Sequence, residues 1–272
     1  ASQPIVIDSY KDPYNTFTTN IEGIINLFEA CRELNFFPKA IIVISTDKVY
    51  KEKKENNFIY TEEDELEGID PYSCSKVCVE HIVNSYKKIF FKDNCNIAIV
   101  RAGNVIGGGD WSNYRIIPDL IKAYQCKTSF TLRNPYFVRA YQYILDVLYG
   151  YLLLGSELLK NKKQYEGIWN FGPDLNITIN NENLINLCLK FWEELSKFYV
   201  FDINKIDIFS SFKETPILLL NNTKAKTQLG WKPEFNIFQT VEKTIEWYKY
   251  FYEKGEIITY NQIKEYCHLK GD

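Results

Sequence analysis

Methionine is absent from the 272-residue sequence, histidine occurs only as His81 and His268, and no apolar run approaches the ~20 residues of a membrane-spanning helix. A chain without methionine does not open at an ordinary translation start, so the remainder of something longer is expected. The opening Ala1-Ser2-Gln3-Pro4 has no basic segment leading into an apolar one, so no export signal is expected and a cytoplasmic protein is, with no membrane partner. Two isolated histidines offer no metal-ligand spacing, and no metal site is expected. No Cys-x-x-Cys pair exists among Cys31, Cys74, Cys78, Cys95, Cys126, Cys188 and Cys267, whose odd number and mostly apolar surroundings favour reduced thiols. A large charge imbalance is missing too: 32 Lys and Arg stand against 35 Asp and Glu, net -3. With both signs interspersed, nucleic acid is excluded as an expected partner, while a local basic patch for a pyrophosphate is not.

What is present centres on residues 41–76. Ile41-Ile42-Val43-Ile44 has the β-branched composition of a buried parallel strand, and Ser45-Thr46-Asp47-Lys48 then places hydroxyls, a carboxylate and an ammonium at its carboxyl end. Open α/β sheets bind their ligands at that end. After a charged loop, 51–70, to which no chemistry is assigned, Asp70-Pro71 opens a helix with Val79, Ile82, Val83, Tyr86 and Phe90 at helical spacing. Tyr72 and Lys76 then share one helix face, one turn apart. A phenol is a poor base at its ordinary pKa of about 10, and a neighbouring cation stabilises the phenolate and brings it toward the working range. The pair suits removal of a proton from an alcohol or sugar hydroxyl. The bland alternative, a solvated helix face, is weakened because strand end and helix start point to the same place.

Thr46, Tyr72 and Lys76, with Asn20 in Thr19-Asn20-Ile21-Glu22-Gly23, resemble the Ser/Thr, Tyr, Lys and helix Asn of the extended short-chain dehydrogenases. Four further stretches narrow the resemblance to the CDP-glucose 4,6-dehydratase family: residues 45–50, residues 70–73, Arg101-Ala102-Gly103-Asn104-Val105-Ile106-Gly107-Gly108-Gly109-Asp110-Trp111, and Trp169-Asn170-Phe171-Gly172-Pro173. The Asp47-Lys48 pair and the 104–111 run are the most discriminating, because dTDP-glucose dehydratases carry Asp-Glu at the first. The resemblance implies an α/β fold: a Rossmann-like doubly wound parallel sheet, amino-terminally incomplete, with a smaller α/β substrate-binding lobe. Residues 1–110 are expected in the dinucleotide-binding domain. Residues 111–272 are expected mainly in the substrate lobe, with a return to the sheet near 138–173. A homodimer through helices near 13–34 and 72–90 is implied as well.

Local patterns fill in the rest. Asp12-Pro13 opens a helix with Phe17, Ile21, Ile24, Phe28 and Cys31 on one stripe, Asn96–Arg101 reads as a second buried strand, and Ile168–Phe171 as another. A helix from Tyr143 to Leu159 is expected to bury Leu145, Leu148, Leu152 and Leu159, and Thr223–Leu229 is grouped with the smaller lobe. The glycines at 107–109 suit either a plain turn or close approach of a ligand to backbone amides.

The resemblance implies a function: dehydration of CDP-glucose to CDP-4-keto-6-deoxyglucose with NAD, a step toward the deoxysugars of surface polysaccharide. Tyr72 takes the proton of the 4-hydroxyl, Thr46 supports the oxygen, and Asp47 protonates the leaving 6-hydroxyl. Lys48 is either the carbon-5 base or a holder of Asp47 or substrate. Tyr72, Lys76 and Asn20 are implied on the NAD side. Asn104, Arg115 and Arg139 are implied on the nucleotide-sugar side. Against activity stands the absence of a Gly-x-x-Gly-x-x-Gly turn, whose backbone amides hold a dinucleotide pyrophosphate. An inactive nucleotide-sugar-binding or subunit-interaction protein is therefore the rival reading.

Overall fold

Strand residues 97–100 alternate sides, and each side finds its own layer of helices. The computed structural model describes residues 2–53, 55, 58–92, 94–175, 178–200 and 215–271; Lys54 of the charged loop lies outside them. In chain order the helices are α1 (Val6–Lys11), α2 (Pro13–Phe17), α3 (Gly23–Glu33), α4 (Pro71–Tyr86), α5 (Ile116–Cys126), α6 (Ile144–Leu159), α7 (Asn181–Phe191), α8 (Thr223–Leu229), α9 (Ile237–Lys254) and α10 (Thr259–Lys270). The strands are β1 (Ala40–Ile44), β2 (Ile59–Tyr60), β3 (Asn96–Ala102), β4 (Val105–Ile106), β5 (Phe130–Thr131), β6 (Val138–Arg139), β7 (Gln142–Tyr143), β8 (Gly167–Phe171), β9 (Ile179–Asn180), β10 (Tyr199–Val200) and β11 (Ile217–Leu220). The chain divides into two compact units, one of Ala1–Gly103, Tyr149–Phe171 and Leu218–Lys232, the other of Asn104–Leu148, Gly172–Ile217 and Pro233–Asp272.

The first unit is built on a parallel sheet of order β1-β3-β8. Ile97 and Ile99, with Val43, pack against Phe28 and Cys31 of α3 and Val79 and Val83 of α4. Ala98 and Val100 face the other way, onto Leu154 and Leu158 of α6, Ala225 and Leu229 of α8, and Trp231. This is the doubly wound arrangement, a sheet with helices on both faces. Thr223–Leu229, grouped by sequence with the smaller lobe, belongs here because Ala225 and Leu229 share that cluster with Trp169 and Phe171.

Two helix faces differ from their expected ones, each for a local reason. Between α2 and α3 the helix continues through a π turn, Thr18–Glu22. A wider turn advances the buried line by an extra residue, so Thr16 and Asn20 lie at 0% and 5% exposure while Phe17 and Ile21 are only half-buried. On α6, Leu148, Leu152 and Leu159 are 43%, 74% and 58% exposed. Gly150 decides this, because a Cβ there would run into the Phe171 ring and come within 2.8 Å of Trp231 Nε1. The helix packs along Gly150, Leu154 and Leu158, which puts the other leucines on its far side.

In the second unit, apolar residues of α5, α7 and α9 form the core with Phe130 and Leu132. Short strand pairs frame it: β4 with β7 and β5 with β10 are parallel, and β6 with β9 antiparallel. Asp146, at 0% exposure, accepts from Glu234 N, Phe235 N and Tyr266 Oη at 2.8, 3.2 and 2.7 Å, which fastens α10 and the segment before α9 to the start of α6. All seven cysteines are free thiols, and burial pushes Cys95 and Cys188 up to about 12. No described helix is long and apolar enough to cross a membrane, and no metal-holding cluster occurs among the described residues.

Candidate active site

The start of α4 is set by Asp70, whose carboxylate accepts from Ser73 N at 2.9 Å while Ser73 Oγ accepts from Asp70 N at 3.2 Å, with Pro71 in the first helical position. This fixed start places Tyr72 and Lys76 on the covered face, at 9% and 7% exposure. Main-chain contacts hold the tyrosine: its N–H donates to Ser9 Oγ at 3.2 Å and its carbonyl accepts from Ser75 Oγ at 2.7 Å. Lys76 Nζ donates to the Ile44 carbonyl, 3.1 Å away at the carboxyl end of β1. Burial draws the lysine below its ordinary pKa, and Glu80 one turn along acts in the opposite direction.

Directly after β1, Thr46 and Asp47 are 7% and 3% exposed, and Lys48 is half-buried. Thr46 Oγ1 caps the short 3-10 turn Asp47–Val49 by accepting from Lys48 N at 3.3 Å, and it donates to Asp47 Oδ1 at 3.2 Å. That turn packs on α4. Tyr151 of α6 adds a phenol that sequence reasoning missed. Burial raises its pKa strongly, and the nearby Tyr72 and Asp47 raise it further. The site thus gathers hydroxyl, carboxylate, ammonium and phenol groups at the sheet's carboxyl end, from helices on both of its faces.

Asn20 is held differently from a ligand-facing side chain. Its Oδ1 accepts from Gln3 N at 2.7 Å, and its Nδ2 donates to Gln3 O at 3.2 Å and Ser75 Oγ at 2.8 Å. Its direct work is to tie residue 3 to α4.

The nucleotide-sugar candidates belong to the second unit. Arg115, its side chain 43% exposed, pairs with Asp110 at 2.8 Å. Burial would raise Asp110, but Ser112 and Arg115 outweigh it and hold the carboxyl below its usual range. Arg139 donates to the carbonyls of Val138 and Pro216 at 3.0 and 3.1 Å. Asn104 accepts Gln142 N at 2.8 Å through its main chain, and its side chain is half-buried.

The glycines between them answer to side chains of the protein itself. A Cβ at Gly107 would come within 2.5 Å of Ile144 Cγ2, and one at Gly108 would fall inside the Trp247 indole. Trp247 in turn donates to Thr259 Oγ1 at 2.7 Å, and Tyr248 Oη bridges the main chain of Asp110. Gly108→Ala is expected to cost about 1–3 kcal/mol through overpacking against this fixed indole. A urea midpoint equal to that of the unsubstituted chain would show that the loop yields freely.

A family model for GDP-mannose 4,6 dehydratase matches residues 1–244. CDP-glucose 4,6-dehydratase of Salmonella typhimurium is 32% identical over 255 residues, 92% of this chain and 69% of that protein. The dTDP-D-glucose 4,6-dehydratase of Dictyostelium discoideum is 27% identical, and the alignment covers 90% of this chain and 62% of that protein. Among solved structures, the dTDP-glucose 4,6-dehydratase of Streptomyces venezuelae with NAD bound superposes with a TM-score of 0.74 at 19% identity, covering 93% of this chain and 72% of that one. UDP-glucuronic acid 4-epimerase of Bacillus cereus, in complex with its sugar nucleotide and NAD, gives 0.75 at 24%, covering 93% and 74%. These superpositions establish a shared Rossmann-type fold.

Proposed function

Because the chain belongs to the GDP-mannose 4,6 dehydratase family of nucleotide-sugar dehydratases, we propose that it serves the NAD-dependent dehydration of CDP-glucose to CDP-4-keto-6-deoxyglucose. The observation that carries this reading is the buried Tyr72–Lys76 face of α4, bonded to the end of β1 immediately before Thr46-Asp47-Lys48. The residues fit the nicotinamide-ribose side of the cofactor. Lys76 has three N–H donors and, among the described residues, one acceptor, Ile44 O, so a buried ammonium has donors left for ribose hydroxyls. NAD, when bound, supplies the oxidising and then the reducing equivalent that leaves the overall reaction redox-neutral.

The protein's own groups do the proton work. Tyr72 takes the proton of the sugar 4-hydroxyl, made a competent base by the Lys76 ammonium. Thr46 Oγ1 turns its single O–H from Asp47 Oδ1 to the carbon-4 oxygen as that becomes a carbonyl. That ketone acidifies carbon 5, and water leaves across carbons 5 and 6 with Asp47 giving its proton to the departing hydroxyl. Lys48 holds the Asp47 end of the site or takes the carbon-5 proton. Asn104, Arg115 and Arg139 serve the nucleotide and its phosphates, the arginines as charge-assisted donors. A homo-oligomer joined through 13–34 and 72–90 is supported by the exposed Leu27, Leu34 and Ile89 on those segments.

The test is a competition. The protein, supplied with NAD and equal CDP-glucose and dTDP-glucose, is expected to dehydrate the CDP sugar preferentially, read by mass spectrometry as loss of one water. Equal turnover of both would sink the specificity. No turnover of either, with binding of CDP-glucose retained, would favour a binding protein.

A further inference from the structure

Successive turns of α4 grip successive residues at the end of β1. Lys76 Nζ donates to the Ile44 carbonyl at 3.1 Å, and Glu80 Oε1 accepts from Ser45 Oγ at 2.5 Å. Glu80 is 1% exposed and held from the neighbouring strand by Arg101, also 1% exposed, with Nε to Oε1 at 2.9 Å and a second N–H to Oε2 at 2.5 Å. The guanidinium also donates to Tyr50 Oη at 2.9 Å and the Glu62 carbonyl at 3.3 Å, and lies over the Tyr50 ring. Ser45 N donates to Val100 O at 2.8 Å, so residue 45 is fixed by its main chain to β3 and by its side chain to α4. Thr46, Asp47 and Lys48 follow at once.

We propose that the Glu80–Arg101 ion pair is positioning machinery for the Tyr72–Lys76 pair. It sets where the end of β1 lies against α4, and it keeps a carboxylate one turn from the lysine ammonium. The inference deepens the reading of Tyr72 and Lys76 as base and partner and rests on it. A purely structural ion pair could be exchanged for apolar side chains of similar volume with no effect on Lys76. A positioning pair could not. Glu80, on the same helix, is the charged group that acts on the lysine; Arg101 from β3 holds Glu80, and Asp47 after β1 and the phenols of Tyr72 and Tyr151 lie near one another. Burial and Glu80 act on the lysine in opposite directions, so loss of the carboxylate leaves burial unopposed. The ammonium is then given up at lower pH.

The experiment is a carbon-13 NMR titration of protein labelled at the lysine Cε, with the Lys76 signal assigned through Lys76→Arg. In the Glu80→Met/Arg101→Leu double variant, which removes both members of the ion pair together, Lys76 is expected to titrate at lower pH than in the unsubstituted chain. An unchanged Lys76 titration in the folded double variant overturns the proposal. A second variant stands if that one does not fold. Ser45→Ala keeps both charges and removes only the hydroxyl link, and the Lys48 amide is expected to exchange with deuterium several-fold faster; unchanged exchange there also overturns the proposal. Neither readout requires sugar turnover, so a failed dehydration assay and a failed positioning role give different results.

Discussion

Replacing Tyr72 by Phe is expected to lower kcat for sugar dehydration by roughly 10²–10⁴-fold, the usual contribution of a positioned general base. The ring is 9% exposed, and the contacts fixing this turn, Tyr72 N to Ser9 Oγ and Ser75 Oγ to Tyr72 O, are made by the main chain. Phenylalanine keeps ring and main chain and removes the group that accepts the proton. Affinity for the nucleotide sugar should change little, because the proton transfer belongs to the transition state. Steady-state kinetics beside a circular-dichroism melt would separate the cases. Full activity would remove Tyr72 from catalysis, and loss of folding would make it a structural tyrosine.

Arg101→Leu alone is expected to lower folding stability by about 3–5 kcal/mol, because it strands the Glu80 carboxylate in a buried site. The carboxylate would keep the Ser45 hydroxyl, a single donor in place of the guanidinium's two contacts. Removing both charges together should cost much less, since well-packed apolar side chains often replace a buried ion pair at little penalty. Urea denaturation of the single and paired variants gives the comparison. If the two lose the same stability, the cost lies in packing around the guanidinium, and the electrostatic account of the pair is wrong.

The parts of the molecule that were legible in the sequence are those governed by neighbours along the chain. The run at Ile41–Ile44, the Asp70-Pro71 helix start and the four-residue spacing of Tyr72 and Lys76 each carry their signal within a few residues, and β1 and α4 lie where those signals put them. The Arg101–Glu80 pair joins residues far apart in sequence on a strand and a helix, and no local period announces it. The choice of buried face on α6 depended on Gly150 meeting Phe171 and Trp231, so leucines on both sides of that helix left periodicity undecided. The glycines at 107 and 108 were visible as glycines, but the side chains that require them, Ile144 and Trp247, come from distant segments. Tyr151 was one tyrosine among 20, and only the packing of α6 brings it near Tyr72 and Asp47.

The π turn at Thr18–Glu22 bears on how this chain should be aligned with its relatives. A π turn accommodates one residue more than an α-helical path over the same distance, so it is the structural form of a single-residue insertion. A homologue whose alignment shows a one-residue gap within 18–22 would therefore be expected to carry a regular helix there with the flanking turns in unchanged register, its counterparts of Thr16 and Asn20 still inward. A homologue with no gap there but a regular helix would instead have everything on the amino-terminal side rotated by about 100°, the counterparts of Thr16 and Asn20 turned outward, those of Phe17 and Ile21 inward, and the link from residue 3 to α4 cut. Whether an ungapped relative keeps the wide turn in that short window, rather than overall identity, would sort relatives that keep an inward asparagine from those that have given it up.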